Sequence, residues 1–323
     1  MARVLCITLN PALDLAFNLD ALVLGSVNRP ISAQLDAAGK GVNVARVLAG
    51  LGHDVTVSGF LGADNDAPFQ LAFAQYALAD AFVRVPGETR INAKIAEQSG
   101  RVTDINGPGM PIDADHLQAL INKLDAELAS ATPPQAIVVA GSLPPGLSLD
   151  DFSQLLNHLN ASGVPLWVDT SGPALNAAIA THPAGVKPNE NELAEWAGED
   201  MTSSDARLNA AKRLHLSGIA NALISAGAEG VLWVNAQGAW HATPPKVTAT
   251  NTVCAGDTFV AGILHGLLSG HAPEHTLRFA TALSAEAVRH VGVGDPHAAD
   301  FDSLQQHTRI RRLDDTITEG ATL

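Results

Sequence analysis

The sequence predicts an α/β fold: a mainly parallel sheet wrapped by helices on both faces, with a small second β-sheet inserted near the N-terminus. Three observations lead there. Short segments at 4–9, 55–60, 136–140, 165–169, 222–225 and 230–235 are mostly continuous apolar runs of strand length, the pattern of parallel strands covered on both faces. Segments with apolar residues at helical spacing lie between them, and strands alternating with helices specify a parallel sheet. Two stretches, 15–35 and 88–106, are half-polar and alternate instead, as exposed antiparallel strands with one wet face do.

Each element has a local reason. The first strand runs from Val4 to a stop at Asn10 and Pro11. Helical spacing at 43–51 rests on Val44, Val47, Leu48 and Leu51, and at 113–130 on Leu117, Leu120, Ile121, Leu124 and Leu128. The segments 150–161, 189–197, 206–216 and 257–268 repeat it. In the last of these Gly262 and Gly266, one turn apart, permit close packing and would otherwise cost helix stability. The inserted sheet spans about 12–36 and 88–107 and includes the half-polar runs 89–95 and 101–105. No low-complexity linker and no internal repeat divides the chain, so a single domain over 1–323 is expected.

The 323 residues are 46% hydrophobic and 16% charged, which excludes disorder because the apolar surface suffices to offset chain entropy. The formal net charge is −14. Such a surface repels phosphate backbones and anionic lipids, so neither nucleic acid nor membrane is an expected partner. A small anionic substrate requires only that a few basic residues converge in one cleft. Two cysteines, Cys6 and Cys254, build neither a disulfide framework nor a four-cysteine zinc site. The first apolar run is too short for a signal segment, and no stretch approaches the roughly 18 apolar residues that span a bilayer. A cytoplasmic protein is expected.

Several chemistries are excluded by inspection. Gly39-Lys40 is followed by Gly41 rather than Ser or Thr, so no Walker-type loop exists. No G-x-G-x-x-G follows a strand, and neither H-E-x-x-H nor G-x-S-x-G occurs. Four segments remain. Gly39, Lys40, Gly41 and Asn43 lead into a helix: the glycines allow close backbone approach, Lys40 carries a point charge, and Asn43 both donates to and accepts from hydroxyls. The segment reads either as such a site or as a Gly-rich turn. Cys254, Ala255, Gly256 and Asp257 open the 257–268 helix, where small residues leave backbone N–H groups free for an anion beside a carboxylate. Asp257 is otherwise an N-cap. Lys187, Asn189, Glu190 and Glu192 sit at a strand-to-helix junction, where acids suit the helix dipole or hold Mg²⁺ together with phosphate oxygens. Ser225 to Gly230 is a tight Gly-containing turn between strands.

Together these segments resemble the ribokinase/PfkB family of sugar kinases. The N-terminal signature of that family is matched in register by Ala38, Gly39, Gly41, Asn43, Ala45, Gly52 and Gly62, and the C-terminal one by 252–257. Cys254 stands where the usual residue is Gly, and Asn251 where many members have Asp. The segments 8–14, 37–41, 89–94, 102–106, 140–144 and 186–189 are similar to a branch acting on phosphorylated sugars, and the likeness covers roughly residues 3 to 300.

The resemblance implies a ribokinase-like fold whose inserted sheet is a lid that also builds a homodimer. It implies phosphoryl transfer from ATP to the C6 hydroxyl of fructose 1-phosphate, giving fructose 1,6-bisphosphate, with Mg²⁺. In that likeness Asp257 is the catalytic base, and the backbone of Cys254, Ala255, Gly256 and Asp257 forms the anion hole. Asp14, Gly39 and Asn43 bind the sugar. Lys40 and Arg90, helped by Arg29, Asn28 and Ser142, are the choices for its phosphate. Lys187, Asn189, Ser225, Gly227, Glu229, Gly230, Thr252, Gly256 and Ser284 fall on the nucleotide side, and Glu192 with magnesium. Competing readings are a tagatose-6-phosphate or fructose-6-phosphate kinase of the same family and a sugar-phosphate sensor that has lost catalysis. A thiol at the positive end of the Asp257 helix is drawn toward thiolate, so Cys254 is expected to be reactive and Cys6 inert.

Overall fold

A computed structural model describes residues 1–313; the expected 1–323 unit extends into 314–323, outside the described residues. The chain runs β1 (Arg3–Thr8), β2 (Ala12–Leu19), β3 (Ser32–Ala38), α1 (Lys40–Gly50), β4 (Asp54–Gly62), α2 (Ala67–Gln75), β5 (Ala79–Asp80), β6 (Val83–Val85), β7 (Ile91–Glu97), β8 (Val102–Ile105), α3 (Ala114–Leu128) and β9 (Ala136–Ala140). It continues through α4 (Leu149–Ala161), β10 (Leu166–Asp169), α5 (Gly172–Ala180), β11 (Gly185–Val186), α6 (Glu190–Ala197), α7 (Ser204–Leu216) and β12 (Asn221–Ser225). It closes with β13 (Val231–Asn235), β14 (Gly238–Thr243), α8 (Ala255–Leu268), α9 (Pro273–Ala287), α10 (Phe301–His307) and β15 (Arg309–Leu313).

The large sheet is ordered β15-β14-β13-β12-β11-β10-β9-β1-β4-β5, with β6 also on β4. From β5 to β12 every pair is parallel. Residues alternate between two cores: Val4 and Cys6 pack in one with α1, α8 and α9, and Leu5 and Ile7 in the other with α3, α4 and α5. This is the two-sided burial that the continuous apolar runs predict.

Two expectations change. Residues 230–235 form a strand, but β13 runs antiparallel to β12, and β14 and β15 extend that edge antiparallel. The turn between β12 and β13 is too short for the crossover a parallel pair needs. In the small sheet, ordered β3-β2-β7-β8, the outer pairs are antiparallel, whereas β2 and β7 are parallel. Their connection contains α1, β4 and α2, long enough to return the chain in the same direction. Helices α2, α5, α9 and α10 also lie outside the sequence expectation.

Gly262 and Gly266 seat α8 on α9. A Cβ at Gly262 would lie 2.7 Å from the Ala280 Cα, and one at Gly266 would lie 2.4 Å from the Thr276 Cγ2. The same α8 is tied to α1 at their C-terminal ends. The Ala2 N–H donates to His53 Nδ1 at 3.3 Å, so His53 donates from Nε2 to His265 Nδ1 at 2.9 Å, with both rings neutral. Burial, then the neighbouring His53 and His271, push His265 down to about 4.

That depression fixes a sign. The unfolded histidine binds a proton near its ordinary 6.5 and the folded one does not, so the contribution of this contact is full above about 6.5 and is lost as pH falls toward 4. His265→Gln retains polar reach without titrating. Thermal melts from pH 7.5 to 5 should show a smaller fall in Tm for the variant than for the parent; parallel slopes would refute the assignment.

Candidate active site

Parallel strands deliver their C-terminal ends to one edge, and functional side chains of open α/β sheets gather there. Here β1 ends at Thr8, β10 at Asp169 and β11 at Val186, just before Lys187. The buried Asp169 carboxylate lies 3.1 Å from Lys40 Nζ and 3.5 Å from Lys187 Nζ. Burial alone would raise its pKa, but Lys187 and Lys40 outweigh that and hold the carboxyl below the usual range. Lys40 is raised, chiefly by Asp169. Thr8 Oγ1 and Thr170 Oγ1 are buried without a hydrogen-bond partner, so this edge holds unspent polar capacity of the kind that ligands satisfy. Gly39, at φ 132°, and Gly41 let α1 start against this edge; a Cβ on Gly41 would stand 2.4 Å from Thr8 Oγ1.

Helix α8 opens at the same edge. Cys254 is its N-cap at φ −92°, with no side-chain cap bond, so the Cys departure from the family's Gly is unstrained. Asp257 lies inside the first turn rather than at the cap. Its Oδ2 accepts from Asn43 Nδ2 at 2.8 Å, which leaves the N-cap alternative without support. Ala255 N–H is turned onto Thr252 O at 3.3 Å, while helix geometry gives Gly256 and Asp257 N–H no intrahelical acceptor. Lys187 Nζ faces them, 3.3 Å from where a Gly256 Cβ would stand. Burial raises Asp257 to about 6, against Lys40 and with Asp169 adding to the rise. Burial and then Asp257 push the Cys254 thiol up to about 12. The expected thiolate is therefore corrected: burial, and then the neighbouring Asp257, disfavours the charged form. Cys6 is raised as well, by burial alone.

The small sheet covers this edge with its polar face. Asp14 accepts from Asn92 Nδ2 at 2.9 Å and pairs with Lys94 at 3.4 Å, and Lys94 reaches Asp104 at 3.5 Å. Arg90 spends its donors on main-chain oxygens: Nε on Pro11 at 3.2 Å, Nη1 on Gly107 at 2.8 Å and Nη2 on Asn10 at 2.9 Å. Ser142 Oγ stands 3.5 Å from it. Arg90 thus braces the entrance and has at most two outward hydrogens left. Asn28 bonds within its own loop, to Val23 and Ser26, and Arg29 is exposed beside it; the structure does not bring either to Asp257.

On the opposite flank Asn189 caps α6 by accepting from Asn191 and Glu192 N–H, and the Glu192 carboxylate returns the bond by accepting from Asn189 N–H at 2.8 Å. Ser225 bridges to Asn189 along the sheet, followed by a turn at Gly227–Glu229 that closes at Gly230 with φ 104°. Ser284 Oγ donates to Ala255 O at 3.0 Å, and Thr252 is exposed beside them. Among the described residues no group of three metal-ligating side chains is assembled, so a cation here would take Glu192 or Asp169 plus oxygens of a bound phosphate.

Asp169, Asn92 and Lys94 are missing from the sequence-derived set. Asp169 ends a recognised buried strand, where an ionisable residue on an α/β sheet is itself a signal. Asn92 and Lys94 alternate with apolar neighbours on one sheet face.

A carbohydrate-kinase model, the pfkB family, matches residues 7–299. The 1-phosphofructokinase of Vibrio cholerae is 43% identical over 314 residues, covering 96% of this chain and 97% of its own. That of Escherichia coli K12 is 43% identical over 292 residues, covering 90% and 93%. Escherichia coli phosphofructokinase-2 in complex with fructose-6-phosphate superposes with a TM-score of 0.86 at 28% identity, covering 95% and 99%. A Thermotoga maritima ribokinase shares the fold at a TM-score of 0.76 and 20% identity, covering 95% and 100%. The fold is ribokinase-like.

The raised Asp257 has a stability consequence. Its folded pKa lies above the unfolded one, so it favours the fold at low pH, and that contribution is lost as pH rises from about 4 through about 6. Asp257→Asn keeps an oxygen for Asn43 and removes the charge. Its Tm advantage over the parent should grow between pH 4 and 7 to several degrees, as calorimetry will show; an equal or lower Tm at pH 7 would contradict the burial assignment.

Proposed function

The chain belongs to the pfkB family of carbohydrate kinases, and we propose that it transfers the γ-phosphoryl group of ATP to the C6 hydroxyl of fructose 1-phosphate. The observation that carries this reading is a buried carboxylate, Asp257, beside free N–H groups at a helix start, in a chain similar over nearly its full length to relatives named for that activity.

In the proposed reaction Asp257 takes the proton from the C6 hydroxyl, whose oxygen attacks the γ-phosphorus as the bond to ADP breaks and ADP departs with the electron pair. A carboxyl near 6 is mostly ionised at neutral pH yet basic enough to accept that proton. The N–H groups of Gly256 and Asp257 and the ammonium of Lys187 face the charge spread over the phosphoryl oxygens, where positioning and electrostatics do most of the catalysis. Lys40, a candidate for the substrate's own phosphate in the sequence, is better supported on the transferring group because Asp169 holds it beside Lys187. Asp14, Gly39 and Asn43 orient the sugar, and Arg90 with Ser142 offers the substrate phosphate its remaining donors. The nucleotide lies along Lys187, Asn189 and 225–230, near Thr252 and Ser284. Mg²⁺, held at Glu192 or Asp169, would neutralise phosphate charge.

The test is a panel of fructose 1-phosphate, fructose 6-phosphate and tagatose 6-phosphate with ATP. The kcat/KM should be highest for fructose 1-phosphate, and Asp257→Asn should lower kcat by roughly two to four powers of ten. Faster turnover of another phosphosugar, or near-normal kcat in the variant, would reject the reading.

The reading includes a cytoplasmic location, consistent with the lack of any described helix long and apolar enough to cross a membrane. It also includes a homodimer through the outer face of the small sheet, where Leu35, Ile91 and Ile105 are 43%, 47% and 59% exposed. Exposed apolar surface of this kind marks association sites. Ile91→Asp with Ile105→Asp should halve the mass in sedimentation; a parent that sediments as a monomer would remove the dimer.

A further inference from the structure

Arg207, on α7, pairs with Glu229 of the proposed nucleotide turn but touches none of the residues proposed to carry the chemistry. Its side chain is nevertheless 7% exposed in a chain with few buried charges, and it joins two separate segments at the proposed nucleotide flank. One end of the guanidinium meets the Glu229 carboxylate in the 227–229 turn; the other lies 3.7 Å from Glu190, the first residue of α6. Nη1 also donates to the carbonyls of Met201 and Thr202 at 3.3 and 3.4 Å, which fixes its own position.

The turn is closed by its own backbone, with Ala226 N–H on Gly230 O at 2.8 Å and Glu229 N–H on Ala226 O at 2.9 Å, but few side chains tie it to the rest of the protein. Gly227 and Gly230 bring left-handed φ values and no side chains, and Ala228 adds only a methyl. Glu229 is the one polar handle, with His241 Nε2 on its carbonyl at 2.9 Å. On the sheet side, Ser225 N–H donates to Pro188 O at 3.1 Å. The turn and the start of α6 are thus joined by the backbone on one side and by Arg207 on the other.

We propose that Arg207 is a positioning residue for nucleotide binding: it sets the separation between the 227–230 turn and the N-terminus of α6 from behind. The inference rests on the reading that those two segments hold ATP. Arg207→Met removes the cation and keeps much of the apolar stem. Glu229, 66% exposed, then regains water, and Glu190, whose Oε2 is buried, has a side chain 44% exposed through which to turn outward, so the fold should survive.

Initial-rate kinetics should show the KM for ATP raised on the order of tenfold. The KM for the phosphosugar and kcat at saturating ATP should stay within about twofold, and Arg207→Lys should recover part of the loss. Should Arg207→Met fail to fold, Arg207→Lys supplies the same test with a smaller rise of about threefold. Hydrogen exchange of the parent, with and without ATP, separates the two levels of failure. ATP protection of 189–192 and 225–230 with an unchanged KM in the variant overturns the role of Arg207. No ATP protection overturns the nucleotide reading and this inference with it. Equal rises in both KM values reduce Arg207 to a structural contact.

Discussion

The carboxylate of Asp169 sits at the end of β10 between two ammonium groups, 3.1 Å from Lys40 and 3.5 Å from Lys187, with almost no access to water. Without it the buried Lys187 ammonium would lose its counter-ion with half-exposed Lys40 beside it, and without the lysines a buried carboxylate would stand alone. Either loss leaves an uncompensated charge of the costly kind. With all three present the cluster carries one net positive charge, which Asp257 nearby brings close to zero. An acidic protein of net charge −14 thereby keeps a site that does not repel phosphate. The same balance keeps the rise of Asp257 moderate: burial and Asp169 push it up, and the lysines and Asn43 pull it back.

The sheet was legible wherever burial on two faces wrote a continuous apolar run, as at 4–9 and 136–140. At 230–235 the strand was legible but its direction was not, because a run buried by neighbours on both sides looks the same in either direction; only the short turn before it carries the direction. Helix α9 is buried around much of its circumference, with Ala280, Thr281, Ala282 and Leu283 all inside, so its sequence has no single apolar stripe to find. Among site residues, Asn43 and Asp257 stood out because glycine-rich helix starts are local features. The partnership of Lys40 with Asp169 spans 129 residues, and nothing local to either announces it. The bracing role of Arg90 is silent in the sequence for a related reason: the carbonyls that take three of its donors belong to Asn10, Pro11 and Gly107, and main-chain acceptors carry no sequence signal.

The small sheet shows how one alternation serves two ends. Along β7, Asn92 and Lys94 face Asp14 on the cleft side, whereas Ile91, with Ile105 of the neighbouring β8, points outward. A shift of one residue in the β2–β7 register would exchange the two faces, putting isoleucine into the cleft and lysine on the outer surface. The pairing of Asp14 with Asn92 and Lys94 therefore fixes strand register as well as carboxylate orientation, and the two properties cannot vary independently.

The bond between Asn43 and Asp257 joins residues 214 positions apart, which has a consequence for how the protein is made. A ribosome delivers the N-terminus first, at roughly 5–20 residues per second, so α1 waits on the order of tens of seconds before α8 is synthesised. During that interval the face of α1 and β1 that will pack on Phe259, Val260 and Ile263 has no cover. The nascent chain thus carries an apolar surface whose natural partner lies in its last quarter. Until α8 is made, that surface is open to contact with other chains, and the finished fold closes it.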